Sequence, residues 1–353
     1  MLIENTYIVD PIDGEYCGNV EYKNGVIIKV ERKECTPKHI LMPGFVDTHT
    51  HGILGIDCMD ASSKDFENWA DIVSNYGVTS LFPTTVSADR KELENVIKNF
   101  SKTKHPLLSY LHFEGPFINK EKAGAQDKEK ITPFSKIKLP KLNSKVKIIT
   151  MAPEIEGFKE AVEFLNKNEI VISLGHSNGT FEDFKKAYEK GIRKITHFPN
   201  GLRRFHHREI GGIGAAFILN FYVELIVDNI HLSPEFVRLV YRLIGPERII
   251  LITDSISATG LKDGIYNLGS MLVKVKDGIA RTEEGSLAGS TLMFIDGVKK
   301  FKKITNCSLK ELSMVSSYNA LESLQIDGLR IKEGYPAKFI LLDEELNIKK
   351  VVF

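Results

Sequence analysis

The chain has 353 residues, more than one small domain needs and fewer than three ordinary domains would take. Its 47 lysines and arginines against 46 aspartates and glutamates leave a net charge of +1, so neither nucleic acid nor a membrane surface is predicted as a partner. The four cysteines form no C-x-x-C pair, which predicts a reducing compartment. The acidic first residues do not resemble a signal peptide, and no stretch approaches the ~20 apolar residues of a membrane span, so we expect a cytoplasmic protein.

Both ends of the chain are rich in short β-prone runs. The first forty or so residues alternate such runs with turns, and Asn24-Gly25 is a hairpin signal. The C-terminal run KFILLDEELNIKKVVF is typical of two short strands around an acidic turn. Because chain termini often lie close together, we predict that residues 1–42 and 331–353 form one small β-sandwich domain.

Between these ends the chain carries eight apolar, β-branched runs, a pattern that suits strands buried on both faces. In chain order the runs are GFVDTHTHG, TSLFPTTVS, LLSYLHFEGP, VKIITMAPE, IVISLGHSN, KITHFPNG, VELIVDN and IILITDSIS. Apolar residues at helical spacing separate most of them, and helices are predicted over residues 62–76, 88–100, 155–165, 181–188 and 233–244. Eight strand–helix alternations predict an α/β fold, a (β/α)₈ TIM barrel over residues 43–330, with a doubly wound sheet as the alternative.

After the eighth run the pattern changes. The segment YNLGSMLVKVKDGIARTEEG predicts a β-hairpin with Asp277-Gly278 at its turn. The segment GSLAGSTLMFIDGVKKF then leads into a helix, and residues 308–324 predict another.

Two histidines end the first run as H-T-H. Residues i and i+2 of a strand point to the same face, so His49 and His51 could share a metal ion. Alone this signal is weak, because an H-x-H triplet on a surface strand arises easily by chance.

Other ligand-type residues end four more runs. Glu114 follows the third, His176 the fifth, His197 the sixth and Asp254 the eighth. In a barrel the carboxyl ends of the strands meet at one face, where active sites lie, so the set favours a barrel with a single site. His112 lies inside a strand, two residues before Glu114, and is predicted to be a packed residue rather than a ligand.

Imidazole nitrogens and carboxylate oxygens suit zinc or iron. A bound metal ion lowers the pKa of its water towards ~7, and a neighbouring carboxylate such as Asp254 can take the proton. The residues by themselves therefore predict metal-dependent attack on an amide or ester carbonyl.

A longer series of motifs makes the interpretation more specific. In order they are PGFVDTHTHG, HFEGPFINKEKAGAQ, GHSNGT, THFPNGL, HHREIGGIGA, VDNIH, TDSISATG and GSLAGSTL. From about Leu41 to about Leu342 the chain resembles the N-acetylglucosamine-6-phosphate deacetylases of the amidohydrolase superfamily. The resemblance implies hydrolysis of N-acetyl-D-glucosamine 6-phosphate to glucosamine 6-phosphate and acetate by a homodimer that carries one or two divalent ions, zinc or iron, per subunit.

The resemblance also assigns the metal ligands. Glu114, His176 and His197 would hold the principal ion, and His49 and His51 would complete a second site. Some family members lack the H-x-H pair, so the pair would decide the number of ions rather than whether the chemistry can occur.

Asp254 would be the proton shuttle, which takes a proton from the hydrolytic water and returns one to the departing amine. Substrate contacts are implied at Ala125, Gln126, Asn200, Gly201, Arg208, Asp228, His231, Leu287, Ala288 and Gly289. Of these, Arg208 would grip the phosphate across a dimer interface and His231 would add a second donor. Residues 287–289 would line the acetyl side.

Two other hypotheses remain open. The same chemistry could act on another N-acyl substrate, such as N-acetylgalactosamine 6-phosphate or an N-acyl amino acid. Alternatively, the barrel could have lost catalysis and serve as a scaffold. All six metal-and-acid positions are filled in this chain, which argues against the scaffold.

Overall fold

The structure is a computed structural model that describes residues 1–136 and 145–353. The strands in chain order are β1 (Leu2–Asp10), β2 (Gly14–Lys23), β3 (Val26–Arg32), β4 (His39–Pro43), β5 (Phe45–Thr50), β6 (Gly52–Ile53), β7 (Ile56–Asp57), β8 (Val78–Thr85), β9 (Leu111–Glu114), β10 (Val146–Met151), β11 (Val171–Leu174), β12 (Lys194–Ile195), β13 (Tyr222–Ile226), β14 (Ile249–Ile252), β15 (Gly264–Leu268), β16 (Met271–Lys276), β17 (Ile279–Thr282), β18 (Phe339–Leu342) and β19 (Ile348–Val352).

The α-helices are α1 (Ser63–Ser74), α2 (Arg90–Phe100), α3 (Phe158–Lys167), α4 (Phe181–Glu189), α5 (Gly211–Ile218), α6 (Pro234–Ile244), α7 (Phe294–Thr305), α8 (Leu309–Ser313) and α9 (Asn319–Glu322). Short 3₁₀ turns cover Lys120–Lys122, Phe134–Lys136 and Pro246–Arg248, and Met314–Tyr318 forms a π-helical turn between α8 and α9.

The helix α1 shows why the predicted helices form. The Ser62 hydroxyl accepts from the Asp65 backbone N–H, and the Asp65 carboxylate accepts from the Ser62 backbone N–H, which closes a capping box. Phe66, Trp69 and Val73 follow at helical spacing and are buried. Each of the five helices predicted between the barrel strands is present, and its ends lie within three residues of the prediction.

The eight apolar runs form one parallel sheet in the order β14-β13-β12-β11-β10-β9-β8-β5. The sheet curls into a nearly closed barrel, and the (β/α)₈ prediction is confirmed against the doubly wound alternative. At the closing edge the Asp254 backbone N–H donates to His49 O at 2.9 Å, which joins the residue that follows β14 to β5. All carboxyl ends of the barrel strands therefore lie on one rim.

A separate six-stranded sheet combines strands from both ends of the chain in the order β19-β18-β4-β1-β2-β3. The C-terminal β18 pairs antiparallel with β4, and β4 pairs parallel with β1. Ile8, Val20, Leu41 and Phe339 are buried in its apolar core. The predicted pairing of the two terminal segments is confirmed.

The insertion after β14 has the predicted hairpin, β16–β17, with Asp277-Gly278 at its turn, and β15 adds a third strand. Helix α5 has no counterpart in the predicted elements, since its sequence begins GGIG and glycine disfavours helix interiors. The helix predicted over residues 308–324 is helical, but Met314–Tyr318 widens it by one π turn. Among the residues that the structure describes, no helix is both long and apolar enough to cross a membrane.

Candidate active site and metal centre

The six residues predicted at strand ends meet on the carboxyl rim of the barrel, where they form two groups. One group is Glu114, His176 and His197, and the other is His49, His51 and Asp254. Within each group the candidate ligand atoms lie within 4.8 Å of one another, and all six residues are buried. The tertiary fold thus brings together residues that span more than half of the chain.

Three of the six adopt left-handed backbone, which is uncommon outside glycine. The φ angles are +47° at His176, +28° at His197 and +50° at Asp254. Each residue follows its strand, so the turn directs the side chain over the rim. Strained backbone of this kind persists where the surrounding structure holds it and is concentrated at functional sites.

In the first group two imidazoles face the same carboxylate oxygen. Glu114 Oε1 lies 3.1 Å from His176 Nε2 and 2.9 Å from His197 Nε2, and the two Nε2 atoms are 3.0 Å apart. The opposite nitrogens donate to backbone carbonyls, His176 Nδ1 to Lys122 O at 2.7 Å and His197 Nδ1 to Asn200 O at 3.2 Å. A neutral ring with its proton on Nδ1 has a lone pair on Nε2. The two Nε2 atoms and Glu114 Oε1 are therefore three electron-rich atoms that face one another.

The second group repeats the arrangement on the other side of the same carboxylate. His51 Nε2 lies 3.1 Å from Asp254 Oδ1 and 3.4 Å from Glu114 Oε2. His49 Nε2 lies 3.3 Å from Glu114 Oε1 and 3.5 Å from Asp254 Oδ1. Here too Nδ1 faces an acceptor, which is Thr84 O at 3.0 Å for His51 and Glu224 Oε2 at 3.1 Å for His49. Glu114 therefore stands between the two groups.

This donor set fits a divalent cation. The buried His49 Nε2 has no hydrogen-bond partner among the described residues, although it is directed at two carboxylates. Buried polar atoms are normally paired, and lone pairs this close repel unless a positive charge lies between them. Imidazole nitrogens with carboxylate oxygens are the ligands that such ions take in proteins.

The pKa shifts of the site also indicate that it favours positive charge. Burial lowers the pKa of His51, but its bonds to Asp254 and Glu114 outweigh burial and raise the value to about 9. Burial raises the pKa of Glu114, but the charges of His49 and His176 outweigh it and hold the value well below its usual range. Without a cation the site takes up protons, so metal binding and protonation compete and the affinity for metal falls as the pH falls.

Two partners that lie beneath the histidines were not predicted from the sequence. Glu224 and Lys194 are fully buried inside the barrel, and neither stands at a strand's carboxyl end, so no strand-end rule points to them. His112 is packed as predicted, since its Nδ1 donates to Thr48 O at 3.0 Å and its Nε2 bonds Thr150 Oγ1 at 2.8 Å. Burial lowers the pKa of His112 to about 3, which keeps the ring neutral.

A cavity of about 320 Å³ opens above the two groups. Its lining residues are His51, Glu114, Gly124, Ala125, Gln126, His176, His197, Asn200, Gly201, His231, Asp254, Leu268, Ser286, Leu287 and Gly289. Seven of the ten predicted substrate positions are in this set, and Gly124, Leu268 and Ser286 are additions. A larger cavity of about 540 Å³ contains none of the predicted site residues and lies at the amino-terminal ends of β10, β11 and β13, beside residues 322–325.

The other three predicted substrate residues do not line the cavity. Asp228 lies behind His231 and bonds its Nδ1 at 2.7 Å. Ala288 is fully buried and packs in an apolar cluster with Ile256. Arg208 is exposed on the single chain, where its Nη1 lies 2.9 Å from His207 Nε2. A contact from Arg208 to this chain's own cavity is therefore absent from the described structure.

Gln126 is held at the cavity wall from both ends of its amide. Its Oε1 accepts from the Ser87 backbone N–H at 2.6 Å, and its Nε2 donates to Glu114 Oε2. This orientation leaves the second N–H of the amide for the cavity and ties the carboxylate between the two groups to the loop after β8.

The parallel barrel and its rim of histidines and carboxylates define a barrel hydrolase with a candidate metal centre. Residues 40–353 match the model of the amidohydrolase family, so the chain belongs to that family.

Relatives that match most or all of the chain narrow this class. An N-acetylglucosamine-6-phosphate deacetylase of Lysinibacillus sphaericus is 35% identical over 372 residues, which cover 100% of this chain and 96% of the relative. An N-acetylgalactosamine-6-phosphate deacetylase of Escherichia coli O157:H7 is 31% identical over 88% of this chain and 86% of its own. The crystal structure of N-acetylglucosamine-6-phosphate deacetylase from Thermotoga maritima superimposes with a TM-score of 0.95, at 47% identity over 100% of this chain and 98% of that one. The resemblance found in the motifs is confirmed.

Proposed function

We propose that the chain hydrolyses N-acetyl-D-glucosamine 6-phosphate to glucosamine 6-phosphate and acetate with the help of a divalent metal ion. The observation that carries the proposal is the convergence of four imidazole Nε2 atoms on the two oxygens of Glu114, beneath the cavity. The deacetylases that match the whole chain support the choice of substrate.

Glu114, His176 and His197 would hold the principal ion, and His49 with His51 would hold a second one. Zinc and iron both suit these ligands. When bound, a divalent ion polarises a carbonyl and makes water a nucleophile near neutral pH. The protein's part is to orient these ligands and to keep their Nε2 lone pairs free.

Asp254 would move the protons. Its Oδ1 lies 3.1 Å from His51 Nε2, and the side chain lines the cavity. Burial raises the pKa of Asp254, but the charges of His49 and His51 outweigh it and lower the value, so the group is a carboxylate that can accept a proton from the attacking water. Once protonated it can donate to the amine that leaves when the amide C–N bond breaks.

The cavity would position the acetyl end and the sugar. Leu287 and Gly289 line it, and Ala288 packs behind them as part of the wall on the acetyl side. Ala125 and Gln126 form the facing wall, where the free N–H of Gln126 would donate to the acetyl carbonyl as a neutral group. The backbone of Asn200 and Gly201 would meet the sugar.

Phosphate would be bound by His231 and by Arg208 of a second copy of the chain. His231 lines the cavity, and Asp228 holds its ring. Arg208 is exposed and does not line its own cavity, which leaves it available to a neighbouring subunit. A guanidinium binds two phosphate oxygens at once. We therefore propose a homodimer.

A second substrate has a specific observation in its favour. The 31% identity to an N-acetylgalactosamine-6-phosphate deacetylase extends over 88% of this chain. The two sugars differ only in the orientation of one hydroxyl, and the same metal site could serve both.

The domain boundaries and the cellular compartment are also proposals. We propose that residues 1–42 and 331–353 form the small β domain and residues 43–330 the catalytic domain. A β domain built from both termini would leave the rim and its cavity to the barrel alone. Four cysteines without C-x-x-C spacing also favour a reducing cytoplasm as the site of action.

The test is acetate release from the two phosphosugars by protein of measured metal content. We expect N-acetylglucosamine 6-phosphate to be the better substrate, and we expect activity to disappear with chelation and return with zinc or iron. Faster release from the galactosamine compound would favour the second substrate. Protein that binds no metal and releases no acetate would contradict the proposal and favour a scaffold.

A further inference from the structure

A lysine and a glutamate lie fully buried inside the barrel, directly under the metal centre. Lys194 is on β12 and Glu224 on the neighbouring β13, and neither side chain is exposed. Lys194 Nζ lies 2.7 Å from Glu224 Oε1. The contact is ionic rather than an aligned hydrogen bond, since Nζ has no hydrogen-bond partner among the described residues.

Such a pair is poorly explained by stability. Two charges lose their hydration on burial, and apolar side chains of similar volume often give an equally stable or more stable protein. The other inward-facing groups of a barrel are usually bulky branched apolar residues. The pair therefore suggests a functional role, which is indicated by the contact of the second carboxylate oxygen of Glu224.

Glu224 Oε2 lies 3.1 Å from His49 Nδ1. A carboxylate paired with an ammonium group is an acceptor only, so His49 must donate from Nδ1, and the neutral ring then has its lone pair on Nε2. That Nε2 is the atom directed at Glu114 and Asp254 without a hydrogen-bond partner of its own. Each of the other three candidate histidine ligands uses a backbone carbonyl for the same purpose, so His49 alone depends on a side chain.

The same carboxylate also reaches the first group. Its Oε2 accepts from the His197 backbone N–H at 3.3 Å, where the His197 backbone is left-handed. Thr48 Oγ1 donates to Oε1 at 3.4 Å. With Lys194 on one side and these donors on the other, Glu224 has little freedom to turn away from His49.

We propose that Glu224, anchored by Lys194, is the positioning residue that fixes the tautomer and orientation of His49 and thereby forms the second ion site. The inference rests on the proposed metal-dependent function. A carboxylate behind a metal-bound histidine orients the ring and raises its basicity, and loss of such a partner typically weakens metal binding 10- to 100-fold.

Two double variants separate the acceptor from the charges. Lys194→Met with Glu224→Leu removes both charges and the acceptor, and we expect the ion at the His49–His51 group to bind 10- to 100-fold more weakly in chelator competition. Lys194→Met with Glu224→Gln removes the charges but keeps an amide oxygen for His49 Nδ1, and we expect it to recover most of that affinity. The matched control is Asp10→Asn with Arg330→Met, which removes another buried ion pair far from the rim.

The unmodified protein supplies a measurement that needs no variant to fold. In ¹⁵N NMR spectra of the zinc-loaded protein we expect His49 to carry its proton on Nδ1, while the shift of its Nε2 reports the bound ion. A zinc-loaded protein in which His49 Nδ1 carries no proton, a parent protein that binds one ion with no change at His49, or a Leu double variant with unchanged metal number and affinity would each overturn the inference. A parent that binds no metal would instead overturn the proposed function.

Discussion

Glu114 is the residue on which the two ligand groups depend. One of its oxygens faces His176 and His197, and the other faces His51. Two neighbours contact it in different ways. Gln126 links it to the loop after β8, and Asp254 faces it across the second group. Single substitutions around Glu114 should therefore have different effects on metal binding and on proton transfer.

Substitution of Asp254 by Asn should lower kcat for acetate release by about 10²- to 10⁴-fold, the usual contribution of a positioned acid–base group. An amide cannot take the proton of the attacking water. Mass-spectrometric metal analysis should show whether the ion number also falls, since Asp254 lies in ligand range of the His49–His51 group. The control is Asp296→Asn, at an exposed position in the first turn of α7. A near-normal rate in Asp254→Asn would contradict the proton-shuttle role.

Substitution of Gln126 by Ala should weaken metal binding about 10- to 100-fold, because Glu114 loses the donor that orients it. The buried Ser87 N–H would also lose its acceptor. The affinity for zinc can be measured by competition with a chromogenic chelator. If affinity is unchanged and only kcat falls, Gln126 acts on the substrate carbonyl rather than on Glu114.

At the scale of elements, a buried ion pair holds the first strand of the terminal sheet to the segment that precedes β18. Asp10 ends β1, and its carboxylate accepts from Arg330 Nε at 2.9 and 3.0 Å and from the Ile331 backbone N–H at 2.8 Å. Asp10 is fully buried. The pair joins the first strand of the chain to the segment that leads into β18.

Substitution of Asp10 by Asn should reduce the free energy of unfolding by about 3–5 kcal/mol, because Arg330 would keep a buried charge after losing its buried partner, with only the half-exposed Asp13 remaining. Urea unfolding measures the loss. The control is Asp13→Asn, which removes a half-exposed partner of the same arginine and should cost about 1 kcal/mol or less. If the two substitutions reduce the free energy of unfolding equally, the buried Asp10–Arg330 pair does not stabilise the fold more than the exposed Asp13 contact does.

The same pair predicts a pH dependence. Burial raises the pKa of Asp10, but the bond and charge of Arg330 outweigh it and hold the value below the usual one. The unfolded chain, with an aspartate pKa of about 3.9, then binds more protons than the folded one. The stabilisation is complete above that pH and is lost as the pH falls through the folded value. The stability difference between the parent and Asp10→Asn should therefore narrow only in acid, and a gap that persists there would argue against this ion pair.

At the scale of the whole molecule, the barrel gathers the candidate catalytic groups on one rim, whereas the phosphate site that we propose is incomplete in a single chain. His231 lines the cavity, but Arg208 is exposed. An enzyme that borrows Arg208 from a second copy should have a site that only the dimer completes.

A mixing experiment tests this arrangement. Arg208→Ala should raise KM for the phosphosugar, and Asp254→Asn should be nearly inactive. When the two variants are mixed and their subunits exchange, one site of each mixed dimer has an intact Asp254 and receives Arg208 from the other subunit. Activity at low substrate should therefore exceed the sum of the separate samples. A size-tagged subunit can show that the subunits have exchanged. If they have exchanged and the activity still does not exceed the sum, Arg208 does not contribute to the partner's site.

Much of this protein follows from local sequence patterns. The eight apolar runs, the capping box at Ser62 and the turn at Asp277-Gly278 each report on neighbouring residues, so strands, helices and hairpin were predictable one at a time. The candidate ligand residues were predictable because a polar group directly after a buried strand lies on the barrel rim. Helix α5 was missed because the packing of small residues overrides glycine's weak helix propensity there.

The sequence by itself determined the fold class, the family and six residues of the candidate site, since each is encoded in motifs of contiguous residues. Only the tertiary structure decided which atoms face one another. It placed Glu114 between the two groups and set His176, His197 and Asp254 in left-handed backbone. It also buried Lys194 and Glu224 beneath His49. These relations join residues far apart in the chain, and no local pattern carries them.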